Sequence, residues 1–169
     1  MVASDIRGYK LEDLRTRARR AGFPNIETRE WDGKPFRGRH AAKFDGVLVD
    51  APCSCSGVWR RNPDGRWILR PQEVTEIAEL QLKILNAAST AVRPGGVLVY
   101  ATCSLFPAEN GEVVGRFLAD HADFSLEAFP HPLTGAPTDG TMRVLSFEGD
   151  CDSMFAARMR RSENTGKRR

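Results

Sequence analysis

Long apolar runs are missing from this sequence. No stretch approaches the roughly 18 to 20 residues needed to cross a bilayer. The opening MVASDIRGYK lacks the charged-then-apolar pattern of a secretory signal. A soluble, cytoplasmic protein is the expectation. Cysteine is scarce: four residues, at positions 53, 55, 103 and 151, which is no secreted disulfide framework, so reduced thiols are expected. The motifs GxGxxG and GxxxxGKS/T are both absent, leaving dinucleotide and P-loop readings without support. Cys53-x-Cys55 has no nearby partner, and His121 and His131 show no ligand spacing, so no metal site is expected. Internal repeats are absent as well.

What is present fits one globular domain: 169 residues, 41% hydrophobic and 28% charged. The net charge is only +3, but the cations are bunched. Arg15, Arg17, Arg19 and Arg20 form one group; Arg37, Arg39 and Lys43 a second; Arg60, Arg61, Arg66 and Arg70 a third; residues 158–169 carry a fourth. Such clustering suits a polyphosphate partner, although the first group equally suits a solvated helix face.

Strands and helices alternate along the chain, which argues for an α/β fold with a mostly parallel sheet. Val2 and Ala3 read as a strand tail that turns at Ser4-Asp5. Residues 10–21 read as a helix stopped by Gly22, and residues 25–29 as a short strand before Asp32. Val47, Leu48 and Val49 form the centre of a strand over 44–50, expected to be buried on both faces. Residues 54–70 read as a loop, and Pro71 opens a helix running to about Val92. Arg93-Pro94-Gly95-Gly96 breaks it before a second buried strand over 97–101. Residues 108–120 form another helix, 124–126 a short strand, and 143–147 with 153–159 a closing antiparallel pair. Only residues 162–169 read as a disordered, basic tail.

The chemistry lies at the strand ends. Both long strands deliver a cysteine followed by serine to one rim, in Asp50-Ala51-Pro52-Cys53-Ser54 and Thr102-Cys103-Ser104. Ligands of open α/β sheets bind at such a rim. A thiolate is a strong nucleophile, and the nearby Arg60 and Arg61 would favour it. Taken singly, most cysteines are small buried hydrophobes, and Cys55 and Cys151 are read so; the matched positions of Cys53 and Cys103 favour a functional pair. Asp5, Asp32 and Asp50 also close strands. A carboxylate there can accept a ribose diol, or can merely cap a turn.

DAPCSCSG (50–57), RRNPDGRW (60–67), RPGGVLVYATCSLFPAEN (93–110) and CDSMFAARMRR (151–161) together resemble the RNA cytosine-C5 methyltransferases of the Sun/RsmB and nucleolar-protein type. The resemblance implies a Rossmann-like class I methyltransferase sheet, S-adenosyl-L-methionine as cofactor and RNA as partner, with residues 1–161 a partial catalytic domain. It also implies Cys103 as the nucleophile, Cys53 as the group that assists product release, and Asp5, Asp32 and Asp50 at cofactor-contacting positions. A non-catalytic RNA-binding remnant is the alternative. Two departures stand out. The family's first strand and glycine-rich cofactor loop have no counterpart before Asp5, so an N-terminally truncated enzyme is expected, with two strands left without a central partner. Arg66 also stands where relatives usually carry lysine.

Overall fold

In the computed structural model, which describes residues 1–163, VASD forms β1 (Val2–Asp5), parallel to β2 (Glu27–Glu30) with Asp5 opposite Glu30. The crossover between them is α1 (Gly8–Arg20), which buries Leu11 and Ala18. Its arginines face outward: Arg15 pairs with Glu12, and Arg17 with Asp13 at 2.6 Å. Gly22, at φ +73°, takes the left-handed turn that ends the helix. These elements make up one compact unit, Met1–Lys34; the second is Pro35–Arg169.

The second unit is built on β3 (Phe44–Asp50), α2 (Gly65–Ile68), α3 (Pro71–Ser89) and β4 (Val92–Thr102). β3 and β4 are parallel, with Asp50 opposite Ala101, so the chain leaves both strands at one rim. Pro71 starts α3, and the Glu73 carboxylate accepts the N–H of Arg70 at 2.9 Å. The helix ends at Ser89, earlier than the sequence suggested. Ser89 Oγ and Thr90 Oγ1 donate to the carbonyls of Asn86 and Ala87, so hydroxyls take over orphan acceptors of the last turn. Val92 therefore belongs to β4, where it pairs with Phe44.

The remaining elements are α4 (Gly111–Asp120), β5 (Phe124–Leu126), β6 (Thr141–Val144), α5 (Ser146–Gly149) and β7 (Met154–Arg161). The sheet order is β3-β4-β7-β5, with β6 also paired to β7. β7 is antiparallel to all three of its neighbours, which gives the sheet its mixed, Rossmann-like character. Leu85, Leu98, Tyr100, Val113, Phe117 and Met159 form a fully enclosed core between sheet and helices. Ser162 follows β7 and donates its N–H to the carbonyl of Asp123 at 2.7 Å; residues 164–169 of the expected tail lie outside the described residues.

Two expectations change. The strand expected over 143–147 stops at Val144, because the N–H of Leu145 bonds the Glu148 carboxylate and the chain turns helical; Phe147 is 82% exposed. The Val47–Val49 run is not buried on both faces: Val49 is enclosed, but Leu48 is 68% exposed. β3 lies at a sheet edge. The two edges that the resemblance leaves without a partner, on β1 and on β3, are unpaired among the described residues.

Candidate active site

Parallel pairing of β3 with β4 brings together two loops far apart in sequence. Cys53 and Cys103, fifty residues apart, have their sulfurs 3.3 Å from one another. Cys55 joins them: the three Sγ atoms all lie within 4.8 Å of one another. Cys55 achieves this through a left-handed backbone, φ 56° and ψ 27°, an uncommon and mildly strained conformation for a residue with a Cβ. It is exposed, contrary to the reading of it as a buried hydrophobe, while Cys151 is half-buried. The partner that the Cys53-x-Cys55 spacing lacked in the nearby sequence is Cys103, carried in by the other strand.

A buried polar network fixes the rim. Glu109, in the helical turn Pro107–Glu109, has no exposed surface. One carboxylate oxygen accepts the N–H of Ser54 at 2.8 Å and Gln81 Nε2 at 3.0 Å; the other accepts Ser104 Oγ at 2.8 Å. Gln81 Nε2 also donates to the carbonyl of Pro52 at 2.8 Å. Tyr100 donates its hydroxyl to the Glu109 carbonyl at 2.6 Å, and Thr102 Oγ1 donates to Asn110 Oδ1 at 2.6 Å. Asn110 Nδ2 in turn donates to the carbonyl of Ser104. Ser56 Oγ accepts the N–H of Leu105 at 2.7 Å, and the N–H of Gly57 donates to the Cys103 carbonyl at 2.8 Å. Each backbone bond holds one cysteine loop against the other. Buried groups of this kind are costly to leave unpaired, so the network locks one geometry.

Burial disfavours the thiolate form of Cys103 and Cys53. Burial, followed by the neighbouring thiols of Cys53 and Cys55, pushes Cys103 well above the usual thiol range. Burial also raises Cys53. The expected arginine assistance is not there. Arg60 reaches Asp150 at 3.1 Å, and Arg61 forms a two-pronged pair with Asp152, at 2.9 and 2.5 Å. Those acids lie some ninety residues on, beyond the reach of local sequence reasoning. Arg70 is paired with Glu73. Arg66 instead lies over the Trp67 ring, 4.7 Å from its centre, and Trp67 is 78% exposed.

Asp50 closes β3 and is exposed at the cysteine rim. Asp5 and Asp32 belong to the first unit. Asp5 accepts both the N–H and the Nε–H of Arg7 on one oxygen, and these contacts hold its carboxyl below the usual range even against some burial. Asp32 is lowered by Lys34, whose Nζ lies 2.5 Å away. An open depression of about 360 Å³ in that unit is lined by Ile6, Arg29, Glu30, Trp31 and Asp32. Glu109, Asn110, Gln81 and Tyr100 were not singled out from sequence. The signal for the first two was the Pro-Ala-Glu-Asn that follows Cys103; Gln81 and Tyr100 gave none beyond polarity on an apolar face.

The model of the family described as 16S rRNA methyltransferase RsmB/F matches residues 1–160. Ribosomal RNA small subunit methyltransferase B of Klebsiella pneumoniae (strain 342) is 36% identical over 165 residues, 97% of this chain and 37% of that protein. Ribosomal RNA small subunit methyltransferase F of Serratia proteamaculans (strain 568) is 34% identical over 166 residues, 95% of this chain and 35% of that one. Among solved structures, NSun6 from Pyrococcus horikoshii with SFG superposes with a TM-score of 0.80 at 27% identity, covering 96% of this chain and 41% of that chain. The chain thus spans a little over a third of the length of the curated relatives it matches.

Proposed function

Starting from the fact that the chain belongs to the RsmB/F family of 16S rRNA methyltransferases, we propose that its cysteine rim performs the base-handling part of methyl transfer to carbon 5 of cytosine in RNA. The observation that carries this reading is the 3.3 Å approach of Cys53 and Cys103 at the carboxyl ends of adjacent parallel strands. Carbon 5 of cytosine is a poor nucleophile until a thiolate adds to carbon 6. Cys103, one residue past β4, makes that bond in this reading. The carbon-5 proton must then depart before the thiolate is eliminated, and Cys53 assists that collapse. Asp50, exposed at the same rim, is suited to bond the exocyclic amine of the base.

S-adenosyl-L-methionine, the family's cofactor, supplies an electrophilic methyl group when bound. Some residues present suit its nucleoside part. The depression beside Ile6 and Trp31 offers apolar surface next to a carboxylate. Asp5 ends a parallel strand and keeps one oxygen outside its bonds to Arg7, as a ribose diol requires. Asp32 would have to exchange its Lys34 partner for the ligand.

Arg66 and Trp67 offer single-stranded RNA a stacking plate beside a cation. RNA binding without chemistry is the competing reading, and one experiment separates the two. RNA containing 5-azacytidine, incubated with the chain and cofactor, should give a complex that survives denaturing electrophoresis and is lost in Cys103→Ala. No complex, or one that Cys103→Ala leaves intact, would sink the cytosine-C5 reading.

A further inference from the structure

The three converging thiols are more than the proposed chemistry uses. Cys103 forms the adduct and Cys53 helps to resolve it, whereas Cys55 has no part in either step. Yet Cys55 adopts a left-handed backbone that brings its sulfur into the same cluster, where it also contacts the Cys53 carbonyl at 3.4 Å.

We propose that Cys53, Cys55 and Cys103 together form a site for one thiophilic cation, of the class of zinc(II) or copper(I), with a remaining position open to solvent. The geometry is close to what such an ion needs. With metal–sulfur bonds of about 2.3 Å at tetrahedral angles, ligand sulfurs lie about 3.8 Å apart. One pair of sulfurs lies at 3.3 Å and all three lie within 4.8 Å of one another, so shifts of about an ångström or less would bring them to that spacing. The donor set consists of thiols alone, which selects soft cations over magnesium or calcium. The supporting shell is also built. Ser54, between two of the ligands, is fixed by Glu109, and the Cys103 carbonyl is held by Gly57. On binding, the ligating thiols release their protons to solvent. Exposure of Cys55 leaves the entry side open. Because the ion would take up the lone pair that Cys103 needs for attack, occupancy would silence the rim. That consequence, unlike the binding itself, rests on the function proposed above.

The test uses the reduced 169-residue chain titrated with cadmium(II), whose thiolate charge-transfer absorption reports ligation directly. One equivalent should saturate the signal, and zinc(II) should compete for it. Cys55→Ser should weaken binding at least tenfold. Cys55→Gly should do the same while relieving the left-handed backbone, so a folding defect in the first variant would not mask the result. Cys151→Ser should bind as the parent does. Zinc should also slow iodoacetamide labelling of Cys103 at least tenfold in the parent chain and less than twofold in Cys55→Gly. Absence of the one-equivalent signal, unchanged binding in both Cys55 variants, or its loss in Cys151→Ser would overturn the site. None of these readouts requires methyl transfer, so failure of the RNA trap would leave the metal result standing.

Discussion

The N–H of Gly57 donates to the carbonyl of Cys103 at 2.8 Å, and a methyl group placed on Gly57 would lie 2.7 Å from that same oxygen. It would also lie 2.4 Å from the Ser153 carbonyl, whose own N–H donates back to Gly57 at 3.0 Å. Gly57 is therefore wedged between the residue proposed to attack the base and the chain entering β7. Gly57→Ala should force two backbones apart, cost about 1–3 kcal/mol and lower Tm by several degrees. Calorimetry checks the stability, and the RNA trap should weaken more than Tm implies.

Glu109 separates charge from geometry. Glu109→Ala strips acceptors from Ser54, Gln81 and Ser104 inside the core. A loss of about 3 kcal/mol or more is expected, since each buried group left unpaired costs about 1–3 kcal/mol. Glu109→Gln keeps one acceptor oxygen for Ser54 and Gln81 and offers an amide to Ser104, so its loss should be under about half as large. Urea unfolding of the two variants checks the ordering; equal losses would contradict it.

Trp67 should matter to RNA and not to folding. Its ring is largely exposed beneath Arg66, and removing one stacking ring costs single-stranded binding about 1–3 kcal/mol. Trp67→Ala should thus raise the dissociation constant for an unstructured oligonucleotide about fivefold or more, with Tm within about a degree of the parent. Fluorescence anisotropy measures the first quantity and calorimetry the second.

Acid should loosen the junction between β5 and β7. Glu127 accepts Arg160 Nε at 2.7 Å, while Arg158 Nε lies 2.7 Å from its other oxygen as an ion pair rather than an aligned hydrogen bond. The hydrogen bond from Arg160 is the main cause that holds this carboxyl below its ordinary value of 4.5, and the charges of Arg158 and Arg160 add to it. A carboxylate lowered in the folded state adds stability above its unfolded value and loses it as pH falls through the folded one. Glu127→Gln should therefore unfold at lower urea than the parent near neutrality. The gap should narrow below pH 4.5 and close once the folded carboxyl is protonated. A gap independent of pH would show that shape, not charge, sets the contribution.

Much of this was legible in the sequence where local rules govern. The bounds of β3 follow from an apolar run ending at Asp50-Ala51-Pro52, and Pro71 marks the start of α3. The matched cysteines at two strand ends were readable because parallel pairing carries both ends to one rim. What escaped depended on distant partners. Arg60 and Arg61 looked like aids to a thiolate, yet Asp150 and Asp152 claim them. Leu48 looked like core, but exposure depends on which strands flank β3, and that is no property of its own run. Phe147 continued an alternating pattern, but a side-chain bond from Glu148 to the backbone of Leu145 turned the chain. Cys55 gave no warning of its left-handed backbone, since that conformation is usually advertised by glycine or asparagine.

β7 lies between β4 and β5, and the chain just before it, at Ser153, braces Gly57. During synthesis this places a clock on the site. A nascent polypeptide that has emerged only as far as Gly149 already contains both rim cysteines and the whole Glu109 network. It still lacks the strand that closes β4 and the residue that pins Gly57. Pairings so distant in sequence form late. A chain cut short there would carry both cysteines without the strand and the residue that hold their loops in register.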